Sequence, residues 1–231
     1  MKTETVQLKV SDGSEMAAFV VWPESRAPKK GIIVIQEAFG VNNYIEDICQ
    51  RFAREGFLAV APELYHRTQT GLQIPYTDLP ASVPHRDAMT EEGTIADLQA
   101  TFDYLKSQQI DRFAAIGFCM GGRIAFLANT VLPLQAAVTF YGSRIPTLLS
   151  RVSDITAPHL FCWGGKDKGI SRAERTETLE ALDTAGKVYT NVEFSEAGHG
   201  FFCDQRAAYH ANSARQAWSL TLEFLRTYIN G

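Results

Sequence analysis

The sequence GFCMGG (residues 117–122) places a cysteine between a short apolar run and a helix-forming stretch, with glycines close on both sides. Residues 113–116 predict a buried strand, and residues 120–128 predict a helix. A sharp strand-to-helix turn that carries a nucleophilic side chain is a nucleophile elbow, and its crowded backbone requires small neighbours. A helix N-terminus also favours a thiolate over a thiol. The motif therefore predicts that Cys119 is a nucleophile. The alternative is a structural cysteine, with glycines that only let a helix pack closely on a strand.

Two later residues have the chemistry that such a nucleophile needs. In α/β proteins with a nucleophile elbow, an acid and then a base follow the nucleophile along the chain, each in a loop after a later strand. Asp167 follows the apolar run 160–163, and His199 follows the run 188–194 with glycines on both sides. Asp167 is also open to interpretation as a turn residue or a cap for a helix from Ser171, and His199 as a surface-loop histidine. Chain order favours the catalytic interpretation.

Strand and helix patterns alternate along the whole chain and predict one α/β domain over residues 1–231. The pattern predicts an α/β-hydrolase fold, with a mostly parallel central sheet, helices on both faces and an N-terminal antiparallel hairpin. Residues 63–90 contain several prolines and no periodicity, so they predict an irregular excursion that caps the site. The predicted strands cover 5–10, 16–22, 31–36, 57–62, 113–116, 134–141, 158–163 and 188–194, and the predicted helices cover 44–55, 96–107, 120–128, 172–185 and 211–229.

The composition excludes several classes of protein. The chain has 231 residues, of which 45% are hydrophobic and 21% charged, and a formal net charge of −4. This balance gives no attraction to nucleic acid or to a membrane surface, and no apolar run reaches membrane-spanning length. Because the N-terminus lacks a signal-peptide pattern, we expect a cytoplasmic protein. We also expect a monomer or small homo-oligomer. The four cysteines form no Cys-x-x-Cys pair, so no metal site, cofactor or disulfide framework is expected.

Glu37 and Ala38 follow the first predicted central strand directly. The loop at this position donates the second oxyanion amide in this architecture, so the backbone amides of Ala38 and Met120 are the predicted oxyanion pair. Glu37 would bring a carboxylate to the thiol and act as an auxiliary base; this hypothesis predicts a different thiol alkylation rate in Glu37→Gln. The alternative for Glu37 is a solvated charge at a strand end.

Five sequence motifs together resemble the dienelactone hydrolase family. They are QEAFGVN (residues 36–42), PELY (62–65), the GFCMGG elbow, GGKD (164–167) and AGHGF (197–201). The resemblance implies that Cys119 is the nucleophile, His199 the base, Asp167 the orienting acid and Glu37 the residue that governs the thiol. It implies a small ester or lactone substrate, opened through a thioacyl-enzyme.

The substrate-binding residues are less well defined by the resemblance. Family members that open carboxylated dienelactones carry arginines in the excursion and just after the histidine, whereas Arg206 lies seven positions beyond His199. Arg67, Arg86, Arg144 and Arg206 are all possible anchors for an anionic substrate, and each is equally open to interpretation as a surface residue. Arg86, Arg206, Tyr141 and Phe201 are the substrate-binding candidates. Two other functions stay open: a broad carboxylesterase or thioesterase, and a non-hydrolytic thiol redox sensor or ligand-binding protein.

Overall fold

The computed structural model describes residues 1–25 and 27–229, so Arg26, Asn230 and Gly231 of the predicted domain lie outside it. Two compact units divide the chain, Met1–Phe113 and Ala114–Gly231. Within the described ranges, no helix is both long and apolar enough to cross a membrane, and no three His, Cys, Asp or Glu side chains are grouped to hold a metal ion. All four cysteines lie in those ranges as free thiols.

The first unit is built on the strands β1 (Lys2–Lys9), β2 (Glu15–Trp22), β3 (Lys30–Ile35) and β4 (Phe57–Pro62), in the order β1-β2-β4-β3. The predicted hairpin is confirmed, because β1 and β2 pair antiparallel from Lys2 opposite Trp22 to Lys9 opposite Glu15. β3 and β4 are parallel and almost entirely buried, as their continuous apolar sequences predict. The helices of this unit are α1 (Asn43–Arg54), α2 (Val83–Asp87) and α3 (Glu91–Ser107).

The excursion between β4 and α3 is more regular than the sequence analysis predicted. It contains a 3-10 helix at Leu79–Ser82 that leads directly into α2. The Asp78 side chain accepts a hydrogen bond from the Ala81 amide at 3.3 Å and caps the first of these turns. Pro80 and Pro84 lie in the first turns, where the fixed φ of proline suits a helix start. The prolines that indicated irregular structure therefore begin two short helices.

The second unit contains four parallel strands that neighbour one another in chain order. Thr139 of the second strand contacts Gly122, in the helix Met120–Val131, on one face. The next residue, Phe140, packs on the other face against Phe202, whose ring lies 6.2 Å from that of Trp218 in the helix Ala211–Ile229. Helices therefore cover both faces of this unit, as predicted, and its strand ends all point to one edge. The elements are β5 (Arg112–Phe118), α4 (Met120–Val131), β6 (Ala136–Phe140), a 3-10 helix (Ile145–Asp154) that the sequence analysis missed, β7 (His159–Gly164), α5 (Arg172–Thr184), β8 (Tyr189–Phe194) and α6 (Ala211–Ile229).

Candidate active site

Cys119 occupies the one-residue turn between β5 and α4, half-buried, with Met120 as the first helical residue. Its φ of 56° and ψ of −117° place it outside the regions that side chains normally adopt, and such strain is typical of functional sites. The turn requires glycine at position 117, because a Cβ there would overlap the carbonyl of Gly121. The Cys119 amide donates to the carbonyl of Phe140 at 3.0 Å. The predicted elbow is therefore present, and its backbone is held against the end of β6.

The start of α4 packs directly on the loop that follows β6. A Cβ at Gly122 would lie 2.7 Å from the Cα of Gly142 and 2.9 Å from the carbonyl oxygen of Phe140. The hydroxyl of Thr139 donates a 2.7 Å hydrogen bond to the carbonyl of Gly122. Contacts this close leave the helix N-terminus no room to shift, so the backbone position of Cys119 is fixed.

The loops that carry Asp167 and His199 are joined through their backbones. The Lys166 amide donates to the carbonyl of Ala197 at 2.9 Å. A Cβ at Gly164 would lie 2.7 Å from the same carbonyl oxygen, so a larger residue there would separate the loops. The glycines before Asp167 therefore have a packing role: they bring the two side chains within reach of each other.

Asp167 accepts hydrogen bonds on both carboxylate oxygens. Oδ2 lies 2.7 Å from Nδ1 of His199, and the two side chains are 1% and 24% exposed respectively. Oδ1 accepts from the amides of Gly169 at 2.7 Å and Ile170 at 3.2 Å. Asp167 thus orders its turn and contacts the histidine, whereas the cap of α5 is Ser171. The catalytic role of Asp167 stays a prediction.

The remaining ring nitrogen of His199, Nε2, is the one available to Cys119, and the two side chains are hydrogen-bonded. Burial lowers the pKa of His199, but the hydrogen bonds and charges of Asp167 and Cys119 outweigh it and raise the pKa to about 10. The His199 imidazole is therefore protonated at neutral pH. Asp167, His199 and Cys119 therefore form one hydrogen-bonded line at the strand ends.

The aromatic candidates line the back of this arrangement. The ring of Tyr141 lies 5.2 Å from that of His199 at an interplanar angle of 61°, and 5.5 Å from the ring of Phe201. Both aromatic side chains are fully buried, and Tyr141 has a φ of 36° at the end of β6. They pack against the histidine loop; substrate contact by either residue stays a prediction.

The arginine candidates differ in their surroundings. Arg67 is paired with Asp97 and Asp12 at N–O distances of 2.8 Å and 2.7 Å, so its charge is already neutralised. Arg86 lies half-buried on α2. The guanidinium of Arg206 lies against Gly200, where an added Cβ would be 2.7 Å from its Cζ. Arg206 is thus the arginine beside the His199 loop, and its role as an anion anchor stays a prediction.

Glu37 and Ala38 lie in the first unit, directly after the end of β3. Each is 1% exposed, so the alternative of a solvated charge at Glu37 is wrong. The roles predicted for these two residues stay predictions.

A buried polar group behind the elbow was missed by the sequence analysis. Because the Thr139 hydroxyl donates to Gly122, its oxygen accepts from Nε2 of His159 at 2.9 Å, and Nδ1 of His159 accepts from the Asn129 amide at 3.2 Å. Burial lowers the pKa of His159 to about 3, so this imidazole is neutral. The available signal was a polar residue within the apolar strands at Thr139 and at His159.

The sequence profile of the dienelactone hydrolase family matches residues 16–229. The chain belongs to this family. A Yersinia pestis protein assigned as a carboxymethylenebutenolidase is 37% identical over an alignment 232 positions long, which covers 93% of this chain and 84% of the relative. An Escherichia coli K12 protein assigned in the same way is 36% identical over 234 residues, covering 94% and 84%. Family membership confirms the predicted resemblance and makes the chain a hydrolase of the carboxylic-ester class.

A solved structure shows that the similarity extends over the whole fold. A Klebsiella pneumoniae protein assigned as a dienelactone hydrolase superposes with a TM-score of 0.87 at 31% identity. The match covers 99% of this chain and 100% of the other. The predicted α/β-hydrolase fold is therefore confirmed.

Proposed function

We propose that this dienelactone hydrolase family member hydrolyses a small ester or lactone, with Cys119 as nucleophile, His199 as general acid and base, and Asp167 as the residue that orients His199. The observation that supports this proposal is the hydrogen-bonded line from the Asp167 carboxylate through the imidazole to the thiol, which ends at a strained elbow. A triad is recognised by such geometry. The raised pKa of His199 keeps its imidazole protonated, so it can donate a proton to the leaving group.

The acylation step begins when the Cys119 thiolate attacks the carbonyl carbon. A sulfur–carbon bond forms, and the carbonyl electrons move onto oxygen, where the amides of Ala38 and Met120 are the proposed donors. The tetrahedral intermediate then collapses, the bond to the leaving oxygen breaks, and that oxygen takes the Nε2 proton of His199. The product is a thioester on Cys119, or for a lactone the ring-opened acyl chain.

The deacylation step uses the same groups in reverse. His199, now neutral, removes a proton from water as the water oxygen attacks the thioester, and the thiolate leaves as the acid is released. Glu37 is the proposed auxiliary base: its carboxylate accepts the Cys119 proton, in place of His199, once a substrate anion displaces Glu37 from another partner. A thiolate attacks activated esters readily, but in the intermediate formed from a peptide the thiolate leaves more easily than the amine. Activated lactones, enol esters and thioesters therefore suit this site better than peptides.

The proposed substrate class is an activated lactone that carries a carboxylate. Its supports are the family, the relatives assigned as carboxymethylenebutenolidases, and cationic candidates at Arg86 and Arg206. A broad carboxylesterase or thioesterase is the alternative, and neutral substrates distinguish the two. If the arginines anchor an anion, Arg86→Gln and Arg206→Gln raise KM for the lactone and leave KM for a neutral ester unchanged.

The proposal is tested by turnover of a dienelactone, p-nitrophenyl acetate and an acyl thioester by wild type and Cys119→Ala. We expect the variant to lose all three activities and the lactone to give the highest kcat/KM. Cys49→Ala is the matched control, because burial raises the pKa of that thiol well above its usual range. Undiminished turnover in Cys119→Ala would refute the nucleophile assignment, and equal turnover of neutral esters would favour the broad esterase.

A further inference from the structure

The loop after β3, residues 37–41, is held by the excursion that follows β4. Three of its backbone carbonyls accept hydrogen bonds from that segment: Ala38 from the Tyr65 hydroxyl at 3.2 Å, Phe39 from the Ile74 amide at 3.0 Å, and Val41 from the Gln73 side chain at 3.0 Å. All of these contacts lie within the first unit. Residues of the excursion therefore donate hydrogen bonds to successive carbonyls of the loop.

Gly40 extends this close packing. Its φ is +84°, and an added Cβ would overlap the carbonyl of Leu72, so only glycine fits. One residue beyond the loop, the Asn42 side chain donates to the Tyr76 hydroxyl at 3.0 Å, and the Tyr76 ring packs edge-on against Phe39 at 4.7 Å. The excursion and the loop thus pack against each other along the length of the loop.

Gln36 ties the first peptide of the loop to the same segment. The side chain is buried; its Nε2 donates to the carbonyl of Glu37 at 3.4 Å, and its Oε1 accepts from the Leu64 amide at 3.2 Å. Leu64 precedes Tyr65, so the Gln36–Leu64 and Tyr65–Ala38 hydrogen bonds both involve the first residues of the excursion. The carbonyls of Glu37 and Ala38 are therefore held by neighbouring parts of one structure.

A peptide group is planar, so a carbonyl that is held in place also fixes the N–H of the next residue. Gln36 holds the plane that contains the Ala38 N–H, and Tyr65 holds the plane that follows it. We propose that Gln36 and Tyr65 are positioning residues that aim the Ala38 amide through the excursion. This inference rests on the proposed function, in which that amide binds the oxyanion. Donors that are fixed in advance cost no reorganisation as charge develops.

Tyr65 and Gln36 are nearly inaccessible to solvent, so neither is placed to bind substrate directly. An effect of either residue on turnover must then pass through the loop. Removal of a whole oxyanion donor costs about 10²–10³ in kcat. A donor that is loosened but retained should cost less, on the order of 10-fold.

The test compares two reactions of Cys119 in Tyr65→Phe and Gln36→Met. Acylation by p-nitrophenyl acetate passes through an oxyanion, whereas alkylation by iodoacetamide displaces iodide and forms none. We expect each variant to lower the acylation rate and kcat about 10-fold, with KM and the alkylation rate unchanged. Tyr189→Phe is the matched control, because its hydroxyl contacts only the Asp183 carboxylate at 2.8 Å among the hydrogen bonds described, and we expect wild-type rates.

Several results would overturn the inference. If both variants acylate at the wild-type rate, the two residues do not position the amide. If alkylation falls by the same factor as acylation, the damage is general and the inference is wrong. Gln36→Met carries the test if Tyr65→Phe fails to fold, and the reverse also holds. Failure of the proposed function looks different, because wild type itself would then show no acylation of Cys119, and both claims would fall.

Discussion

His199 and His159 belong to the same unit and each is hydrogen-bonded to other side chains, yet their pKa values shift in opposite directions. Burial lowers the pKa of both. At His159 the partners are the neutral groups of Thr139 and Asn129, burial prevails, and the pKa falls to about 3. At His199 the partners are Asp167 and Cys119, and their contributions raise the pKa to about 10. The charge of the partners, more than the depth of burial, decides which histidine is an acid at neutral pH.

The two histidines also stabilise the fold over opposite pH ranges. The folded pKa of His159 lies below the unfolded value of about 6.5, so its contribution is present above pH 6.5 and is lost as pH falls toward 3. The folded pKa of His199 lies above the unfolded value, so its contribution is present below pH 6.5 and is lost as pH rises toward 10. Together they favour a stability maximum near neutral pH.

Removal of the charged partner of His199 is the largest expected effect. Asp167→Asn keeps the size of the side chain but removes the anion and favours the wrong imidazole tautomer, so kcat should fall by about 10³–10⁴-fold. Steady-state ester hydrolysis measures this loss. Asp183→Asn, which changes an exposed carboxylate that accepts from Tyr189, serves as the control. A fall of less than 10-fold would show that Asp167 only orders its turn.

A charged partner beside His159 should raise the pKa of its imidazole, as Asp167 does for His199. Asn129→Asp places a buried carboxylate beside Nδ1 and removes the donor to the Ala157 carbonyl at 2.8 Å, which should cost about 3–5 kcal/mol at pH 8. The loss should be smaller at pH 5, because His159 can then be protonated beside the anion. Urea unfolding at both pH values measures it, with Asn129→Ser as the uncharged control. Equal losses at both pH values in Asn129→Asp would contradict the comparison.

Replacement of His159 by a group that does not titrate should remove its acid sensitivity. Wild type should lose about 3 kcal/mol through this residue between pH 6.5 and pH 4, because the unfolded chain binds the proton first. His159→Gln should lose less unfolding free energy over the same range. Chemical unfolding at several pH values tests this, and parallel pH curves for the two proteins would refute it.

The smallest expected effect is on the His199 pKa itself. Cys119→Ala removes one of the two groups that raise it, so the pKa should fall below about 10 and stay above that of a histidine without Asp167. An NMR titration of the imidazole measures the change, with Cys49→Ala as the control. An unchanged titration would mean that the thiol makes no contribution.

Local sequence patterns were sufficient to predict the elbow and its partners. GFCMGG predicts a strained turn because only glycine tolerates the backbone overlaps that a Cβ would produce, and the glycines before Asp167 follow the same logic; a Cβ at Gly198 beside His199 would meet no atom within 4 Å. The predicted strands and longer helices overlap those of the structure, but their ends differ by up to five positions: α3 begins at Glu91, whereas the predicted helix begins at residue 96.

The long-range contacts could not be read from the sequence. The hydroxyl of Tyr65 reaches Ala38 across 27 positions, and the His159 imidazole reaches Thr139 across 20, so no local period reports either contact. The helices within the excursion were missed because proline predicts a break as readily as a helix start.

The most direct test of the triad is to trap the acyl-enzyme. Wild type mixed with p-nitrophenyl acetate and quenched within the first turnover should carry one acetyl group, located by peptide mass spectrometry on Cys119. His199→Ala should acylate far more slowly, and Cys119→Ala should carry no acetyl group while failing to turn the ester over. An acetyl group on another residue, or turnover without any adduct in Cys119→Ala, would contradict the account.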